Sequence, residues 1–381
     1  MVHITPTVLA SLALFFGLSA AHPGHDVAEE AAERAAFIKR TPLEKRSLSH
    51  CSATLEARGH AKRSIDRRDA IVQNLRRRLN VSPTAPIRAR DLESALATSH
   101  LSDLVGVTQD YDPALLFTGN STCVLADDTT EGPYYVSGEY VRSDISEDQG
   151  GVPLYMDIQI VNSNTCEPEP EIYMDLWHCN ATGVYSGVEA SGNGNSEAGN
   201  LDATFLRGIQ KSDEDGVVYF QSVFPGHYTG RATHIHVLTH NADGLTELEN
   251  GTISDTYDTH SSHIGQLFFD QDLITQVELL SPYSDNTQQL TTNAGDSILA
   301  GEAEDIDPFM EYVLLGDSLA DGIFAWISVA IDPTVDKEVS TAAYYTEDGG
   351  VENADSGMGG GGGAGGSGGS GGPGGSGPGG F

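Results

Sequence analysis

The motif His-Ile-His at residues 234–236 carries the sharpest chemical signal in this sequence. It lies in the run THIHVLTH (233–240), whose composition favours a β-strand. Side chains alternate between the two faces of a strand, so His234 and His236 project from the same face and could bind one transition metal together. His240 shares that face but lies too far along the strand to join them. By itself, the pattern also fits a polar outer face of a strand.

Two tyrosines upstream of this strand are predicted to lie in loops. A Pro-Gly turn places Tyr228 at the head of the strand, and Tyr185 follows the predicted strand IYMDLWHC (172–179). Phenolate suits Fe(III), because a trivalent ion lowers a phenol pKa from about 10 until the group ionises at neutral pH. Two phenolates, two neutral imidazoles and a hydroxide would leave a ferric site without net charge. Tyr219 is an alternative to Tyr228, but its place inside the VVYF strand favours packing.

Five ordered segments resemble the catalytic core of the intradiol ring-cleavage dioxygenases, the non-haem Fe(III) enzymes that open catechols. They are EGPYYV (131–136), DLWHCNATGVYSG (175–187), FLRGIQKSDEDGVVYFQSVFPGHY (205–228), GRATHIH (230–236) and GQLFFD (265–270). The resemblance covers roughly residues 120–335, and five motifs in order are much more specific than any one of them. The acidic, Gly-tailed chain is similar to the extracellular branch of the family.

The resemblance implies that Tyr185, Tyr228, His234 and His236 hold the ferric ion. It also implies the reaction. A catechol would chelate the iron through both oxygens, Tyr228 and a hydroxide would take up its two protons, and O2 would cleave the ring between the hydroxylated carbons to give a muconate-type diacid. The implied partners are therefore small catechols and O2.

Four further positions match residues close to the iron in this family. Arg231 matches an arginine whose charge would stabilise carbanion or oxyanion character on the substrate. Gln266 matches a polar residue that would hydrogen-bond a bound oxygen species, and Tyr134 or Tyr135 would line the substrate pocket. Without the resemblance, Gln266 reads as an outward strand residue.

Two other classes of function fit parts of the pattern. One is a non-enzymatic secreted β-sandwich that binds aromatic compounds or glycans. The other is a secreted metalloprotein that uses the His-Ile-His motif to bind Zn(II) or Cu(II). His178 and His227, which lie inside the same motifs, are interpreted as hydrogen-bonded structural histidines.

The sequence predicts a mainly β fold: an antiparallel β-sandwich core, an N-terminal helical segment and a disordered Gly-rich C-terminal tail. Short runs rich in Val, Ile, Tyr and Phe alternate with Gly, Pro, Asn and Asp clusters. GIFAWISVAI (322–331) is the last clear element. The predicted organisation is a signal peptide at 1–21, a helical region at 22–110, the sandwich at 120–335 and the tail at 349–381, which has few side chains to bury.

The helical region is basic and could include a removed propeptide. Ile65, Ile71, Val72, Leu75 and Leu79 follow helical spacing. Paired bases at 39–40, 45–46 and 62–63 could be processing sites, or they could be charges on a solvated helix face.

Charge is distributed unevenly along the chain. The net charge is −35 over all 381 residues, with 20 basic and 55 acidic side chains, yet residues 1–90 are net positive. Residues 91–381 are therefore strongly acidic and repel phosphate backbones, which argues against nucleic-acid binding. No apolar run of eighteen residues follows the N-terminus, which argues against an integral membrane protein. The oligomeric state is not predicted.

Several features predict a secreted, extracellular protein. The apolar stretch 8–21 ends in small residues and reads as a signal peptide. Glycosylation sequons occur at Asn80, Asn120 and Asn250, and a further one at Asn180 lies inside a ligand motif. An even number of cysteines suits two disulfides: Cys51, Cys123, Cys166 and Cys179. Three pairings are possible, and the nearness of consecutive strands favours Cys166–Cys179.

Overall fold

The computed structural model describes residues 32, 36, 39, 48–81, 117, 122–125, 134–190, 193–194, 197–241, 245–253, 260–303 and 307–354. The predicted signal peptide, the Asn120 sequon and the Gly-rich stretch beyond residue 354 lie outside these residues. Among the described helices, none is long and apolar enough to cross a lipid bilayer.

Strands dominate the described chain, as predicted. In chain order they are β1 (Thr122–Val124), β2 (Val136–Ser137), β3 (Pro153–Asn162), β4 (Tyr173–Trp177), β5 (Arg207–Lys211), β6 (Val217–Val223), β7 (His234–His240), β8 (His260–Ser261), β9 (His263–Phe268), β10 (Glu311–Leu314), β11 (Ile323–Ile331), β12 (Lys337–Glu338), β13 (Ala343–Thr346) and β14 (Gly349–Glu352). The α-helices are α1 (Ser52–Ala57), α2 (His60–Arg78), α3 (Gln271–Val277) and α4 (Ser297–Glu302).

Two sheets pack face to face around one hydrophobic core. The first sheet has the strand order β1–β11–β3–β6, with β10 also paired to β11, and the second has the order β5–β4–β7–β9. Alternate residues of both sheets fill the space between them, among them Met156 and Ile158 of β3 and Ile235 and Val237 of β7. This arrangement confirms the predicted sandwich.

The first sheet is mixed rather than antiparallel. β11 pairs in parallel with both β1 and β3, whereas β3 and β6 are antiparallel. Parallel neighbours need a long crossover connection, and here the chain builds the whole second sheet between β3 and β11. Period-two patterning identifies each strand but carries no information about the direction of its neighbour.

The helical region covers the outer face of the first sheet. Val72 and Leu75 of α2 pack against Tyr155, Phe324 and Trp326, which point away from the sandwich core. These contacts confirm the predicted helix over the part of it that is described.

Charge pairs reinforce this contact. Arg67 Nε lies 2.7 Å from Asp157 Oδ2, and Arg68 Nε lies 3.5 Å from Asp157 Oδ1. Asp157 is fully buried in the middle of β3, so its carboxylate depends on these partners. The basic N-terminal segment therefore supplies countercharge to the acidic body of the same chain.

A disulfide between Cys51 and Cys166 ties the helical region to the turn after β3. The favoured Cys166–Cys179 pairing is therefore wrong, and Cys179 is a buried free thiol. Cys166 precedes β4 and Cys179 follows it, so the extended strand holds the two cysteines at opposite ends of the sheet. Adjacency of strands in the sequence did not reveal this separation.

Removing the disulfide should destabilise the protein substantially, because it closes a loop of 115 residues. We expect the double variant Cys51→Ser/Cys166→Ser to lose about 2–5 kcal/mol of unfolding free energy in urea titrations. Wild-type protein unfolded in the presence of a reductant should match the double variant. Equal stability of oxidised wild type and double variant would show that the bridge contributes nothing.

The C-terminal part of the fold extends further than predicted. β13 and β14 form a hairpin that pairs with β2, so residues 349–352 are a strand and not the start of a disordered tail. Gly349 has φ +107°, which suits the close turn between the strands, and Gly350 N–H donates to Asp202 Oδ1 at 3.0 Å. The high glycine content predicted disorder here and outweighed the turn signal of Asp348 and Gly349.

Candidate metal centre

His234 and His236 project from the outer face of the second sheet. Ile235 and Val237 point into the sandwich core, so the alternation of β7 turns both histidines away from it. All seven residues of β7 are nevertheless buried, because loops and the β2–β13–β14 sheet cover this face. The site thus lies in a second, smaller buried region, between the outer face of the second sheet and the elements that cover it.

Four side chains converge there. Tyr228 Oη lies 3.3 Å from His234 Nε2, and His234 Nε2 lies 3.0 Å from His236 Nε2. The Tyr185 ring centroid lies 5.6 Å from that of Tyr228 and 6.1 Å from that of His236. Each of these residues is at most 5% exposed.

The donor atoms fit a small multivalent cation. His234 Nδ1 lies 2.6 Å from the Ala232 carbonyl, and this bond fixes the proton on Nδ1 and leaves the Nε2 lone pair free to bind. Two nitrogen ligands that each lie about 2.1 Å from an ion, with a right angle between the two bonds, would be about 3 Å apart. The His234–His236 separation matches that spacing. Among the residues that the structure describes, the buried Tyr185 Oη has no hydrogen-bond partner, which leaves its lone pairs available to an ion.

Burial keeps the phenol groups neutral when no cation is near. It raises the pKa of Tyr185 well above its usual value, and the neighbouring Tyr228 raises it further. Burial raises the pKa of Tyr134 in the same way. Only a strong positive charge close to the oxygen could offset this desolvation and ionise Tyr185 at neutral pH.

Cross-strand neighbours hold His236 in place. Trp177 on β4 and Gln266 on β9 lie directly opposite His236 in the sheet register. The Trp177 indole stacks on the His236 imidazole with a centroid distance of 4.9 Å and an interplanar angle of 6°. Trp177 therefore limits the rotation of this imidazole.

The loop that carries Tyr228 turns through Gly230, which has φ +96°. Gly230 N–H donates to Thr291 Oγ1 at 3.0 Å. In the same loop, His227 pairs with Glu278 at 2.8 Å and with the Gln288 carbonyl at 3.0 Å. His227 therefore acts structurally, as predicted.

His178 also has a structural environment. Its two ring nitrogens lie 2.8 Å from the Cys179 carbonyl and 2.8 Å from Ser222 Oγ. Tyr219 lies on β6 beneath α2, in the sheet opposite the site, and is not near the four side chains. Both outcomes agree with the sequence interpretation.

Arg231 is fully buried and held in a fixed orientation. Its Nε donates to Asp296 Oδ2 at 3.0 Å, and its Nη2 donates to Gln266 Oε1. Asp296 also accepts from Ala232 N–H at 2.8 Å and from Ile298 N–H at 2.8 Å at the start of α4. Burial raises the Asp296 pKa, but the Arg231 charge and these N–H groups outweigh it, and the pKa is lowered.

Tyr134 and Tyr135 occupy different surroundings. The Tyr134 ring lies 4.9 Å from that of Tyr185, so it borders the four side chains. Tyr135 lies one layer further out, with its ring 5.3 Å from Trp177 and 6.5 Å from His240. Of the two predicted pocket residues, Tyr134 is the one placed beside the candidate centre.

A buried acidic pair adjoins this second layer. Asp175 and Glu139 share one close cation, Arg207, whose Nη1 donates to Glu139 Oε1 at 3.0 Å. Burial raises the pKa of Asp175 to about 7, and it also raises the pKa of Glu139 well above its usual value. Tyr135 also faces Asp175, and His240 Nε2 lies 4.0 Å from its Oδ2.

This pair should make stability depend on pH. An unfolded Asp175 ionises near pH 4, but the folded protein keeps that proton until about pH 7. The unfolding free energy should therefore fall as pH rises from about 4 to 7, by as much as about 4 kcal/mol. Asp175→Asn should flatten this slope in denaturant titrations across that range, whereas the exposed Asp148→Asn should not. A slope unchanged by Asp175→Asn would contradict the assignment.

Four residues important to the site were not anticipated: Trp177, Asn193, Arg207 and Asp296. Asp296 had a usable signal, because an aspartate before Ser-Ile-Leu is typical of a helix N-cap. Trp177 and Arg207 contact residues that are distant in sequence, and Asn193 binds nearby backbone atoms, and a single sequence shows neither kind of contact.

The candidate glycosylation sites differ in accessibility. Asn80 and Asn250 are exposed. Asn180 is partly buried, and its amide donates to Gln149 at 3.1 Å and accepts from Val184 N–H at 3.1 Å. This sequon is therefore engaged in the Tyr185 loop.

Comparison with known proteins gives one informative sequence match. No family model matches the chain. Catechol 1,2-dioxygenase of Acinetobacter baylyi is 26% identical over 180 residues, which cover 41% of this chain and 53% of that protein. The chain thus spans about half the length of the curated relative that it matches.

Two solved structures are also similar. An intradiol ring-cleavage dioxygenase from Tetranychus urticae has a TM-score of 0.44 and 27% identity, covering 56% of this chain and 96% of that one. The dioxygenase domain of a carbohydrate-binding fusion protein from Streptomyces sp. SirexAA-E has a TM-score of 0.33 and 20% identity, covering 56% and 97%. The sequence match agrees with the resemblance carried by the five motifs: over these 180 residues the chain is similar to a catechol 1,2-dioxygenase.

Proposed function

We propose that this protein is a non-haem Fe(III) dioxygenase that cleaves catechols between the two hydroxylated carbons to give muconate-type diacids. One observation carries the proposal: the phenol side chains of Tyr185 and Tyr228, from two separate loops, and the two imidazoles of β7 pack together in a buried cluster. A mixed set of phenolate and imidazole ligands suits Fe(III) better than Zn(II) or Cu(II).

The proposed ligands are Tyr185, Tyr228, His234 and His236. When bound, Fe(III) supplies Lewis acidity and covalency toward a chelating catechol. Tyr228 lies on the Gly230 turn and is the arm suited to take up a catechol proton. Tyr228 is 5% exposed, so a proton held on its Oη is shielded from solvent.

Arg231 contributes a fixed positive charge. Asp296 and Gln266 hold its guanidinium without solvent, so no reorganisation is needed when negative charge develops on a substrate. Tyr134 packs beside Tyr185 and offers an aromatic ring next to the cluster, which suits a planar substrate ring, whereas Trp177 stacks on His236.

Aerobic purification followed by three measurements tests the proposal. We expect about one iron per chain, a visible tyrosinate-to-iron absorption band, and consumption of catechol and O2 with formation of a muconate-type product. Protein reconstituted with Zn(II) should be colourless and inactive. A colourless, iron-free protein that binds aromatic compounds without turnover would refute the proposal and favour a binding module.

Tyr228→Phe should change the visible band and reduce turnover, while the melting temperature stays within a few degrees of wild type. The variant removes one phenol oxygen but keeps the ring packing, so the fold should tolerate it. Absorption spectroscopy of the iron-loaded variant checks this. An unchanged spectrum would assign the second phenolate to another tyrosine.

We also propose that the protein is secreted. The Cys51–Cys166 disulfide supports this, because such bridges persist in oxidising compartments. The exposed Asn80 and Asn250 are the sites where a glycan would fit. Expression of the full chain in a eukaryotic secretory host should give protein in the medium whose mass falls on deglycosylation, and retention inside the cell would contradict it.

A further inference from the structure

Asn193 binds the backbone of Tyr185 at both of its polar groups. Its Oδ1 accepts from Tyr185 N–H at 2.7 Å, and its Nδ2 donates to the Tyr185 carbonyl at 2.8 Å. The same Nδ2 donates to the Val188 carbonyl at 3.1 Å. Asn193 is 1% exposed, so water does not compete for these bonds.

This arrangement needs the chemistry of an asparagine side chain. Tyr185 offers one donor and one acceptor, and Val188 offers a second acceptor. A carboxamide alone among side chains of this length provides one acceptor oxygen and two N–H donors. An aspartate could accept from Tyr185 N–H, but its second oxygen would face two carbonyls.

The chain around Asn193 folds back tightly onto the Tyr185 loop. Asn193 N–H donates to the Ala190 carbonyl at 3.0 Å. Gly194 follows with φ +52°, and a Cβ there would collide with Val184, the residue before Tyr185. Glycine at this position is therefore what allows the amide to reach Tyr185.

A second buried side chain holds the next residue. Arg207 Nε and Nη2 donate to the Ser186 carbonyl at 3.0 and 2.8 Å. Tyr185 and Ser186 are thus fixed from two directions by side chains that are almost fully buried.

We propose that Asn193 is a positioning residue that fixes the backbone of Tyr185 and so orients its phenol as a metal ligand. The inference rests on the proposed function, since it concerns how a ligand of that centre is held. Asn193 acts on the metal only through the Tyr185 backbone. Its role should therefore appear in metal affinity and in the spectrum, as well as in turnover.

The test uses the Tyr228→Phe background, in which Tyr185 is the one proposed phenolate that remains. Adding Asn193→Asp should weaken iron binding about 10- to 100-fold in chelator competition and shift or reduce the remaining phenolate band. Asn241→Asp is the matched control, because its Nδ2 also donates to a backbone carbonyl, that of Val335, at 3.0 Å beyond the end of β7. This control should leave affinity and band unchanged.

The outcomes separate the two claims. If the wild-type protein binds no iron and shows no phenolate band, the proposed function fails. If Tyr228→Phe is coloured and adding Asn193→Asp leaves its iron affinity and band the same, the positioning role is overturned. Thermal unfolding of the metal-free proteins is measured first, and if Asn193→Asp does not fold, Asn193→Ser takes its place in the same two measurements.

Discussion

Replacing His236 by alanine should yield a folded protein that retains no iron after purification and turns over catechol at least about 100-fold more slowly. The substitution removes one of two imidazole ligands from a buried site, and even outer partners of metal ligands change affinity or activity by about 10- to 100-fold. Iron analysis, the visible spectrum and initial rates of muconate formation measure the effect. Because His236 faces away from the sandwich core, far-UV circular dichroism should stay unchanged.

His240→Ala is the control for this experiment. It lies on the same strand and the same face as His236, but its ring packs near Tyr135 and Asp175 and not at the four-residue cluster. We expect it to keep iron and colour. If both variants kept iron, the metal would not be bound at this face of the sheet, and the assignment of the centre would be wrong.

Replacing Arg231 by glutamine should lower kcat by about 10²- to 10³-fold, as loss of one preorganised electrostatic group commonly does. It should also destabilise the protein by about 3–5 kcal/mol, since Asp296 would be left as an unpaired buried carboxylate. Steady-state kinetics and urea unfolding measure these two effects separately.

The double variant Arg231→Gln/Asp296→Asn distinguishes catalysis from folding. Neutralising both partners removes the unpaired charge, so most of the lost stability should return while kcat stays low. Recovery of kcat together with stability would show that Arg231 serves the fold and has no part in the reaction.

The sequence was sufficient to predict the strands because burial follows a simple period. The runs IYMDLWHC (172–179), THIHVLTH (233–240) and GIFAWISVAI (322–331) were each placed within two residues of the observed ends of β4, β7 and β11. The parallel pairing of β11 was not foreseen and the favoured Cys166–Cys179 disulfide was wrong, because both features depend on where distant segments meet. The β13–β14 hairpin was missed because glycine content was weighed over the Asp-Gly turn.

The candidate site was predicted unevenly for a similar reason. His234 and His236 follow from strand parity, and the family motifs named both tyrosines, Arg231 and Gln266. Their supports were not foreseen. Asn193 forms hydrogen bonds with backbone atoms of Tyr185 and Val188. Every residue has such backbone atoms, so these contacts leave no pattern of residue types in the sequence.

The position of β11 has a consequence for how this protein is made. One edge of β3 pairs with β11, and the ribosome synthesises β11 only after the whole second sheet. Until then, that edge exposes unpaired peptide groups on a hydrophobic strand, and such edges promote aggregation. Sequence-distant pairing also slows folding. Recovery of native protein from a recombinant host should therefore depend on chaperone capacity and slow growth more than on the chemistry of the candidate metal centre.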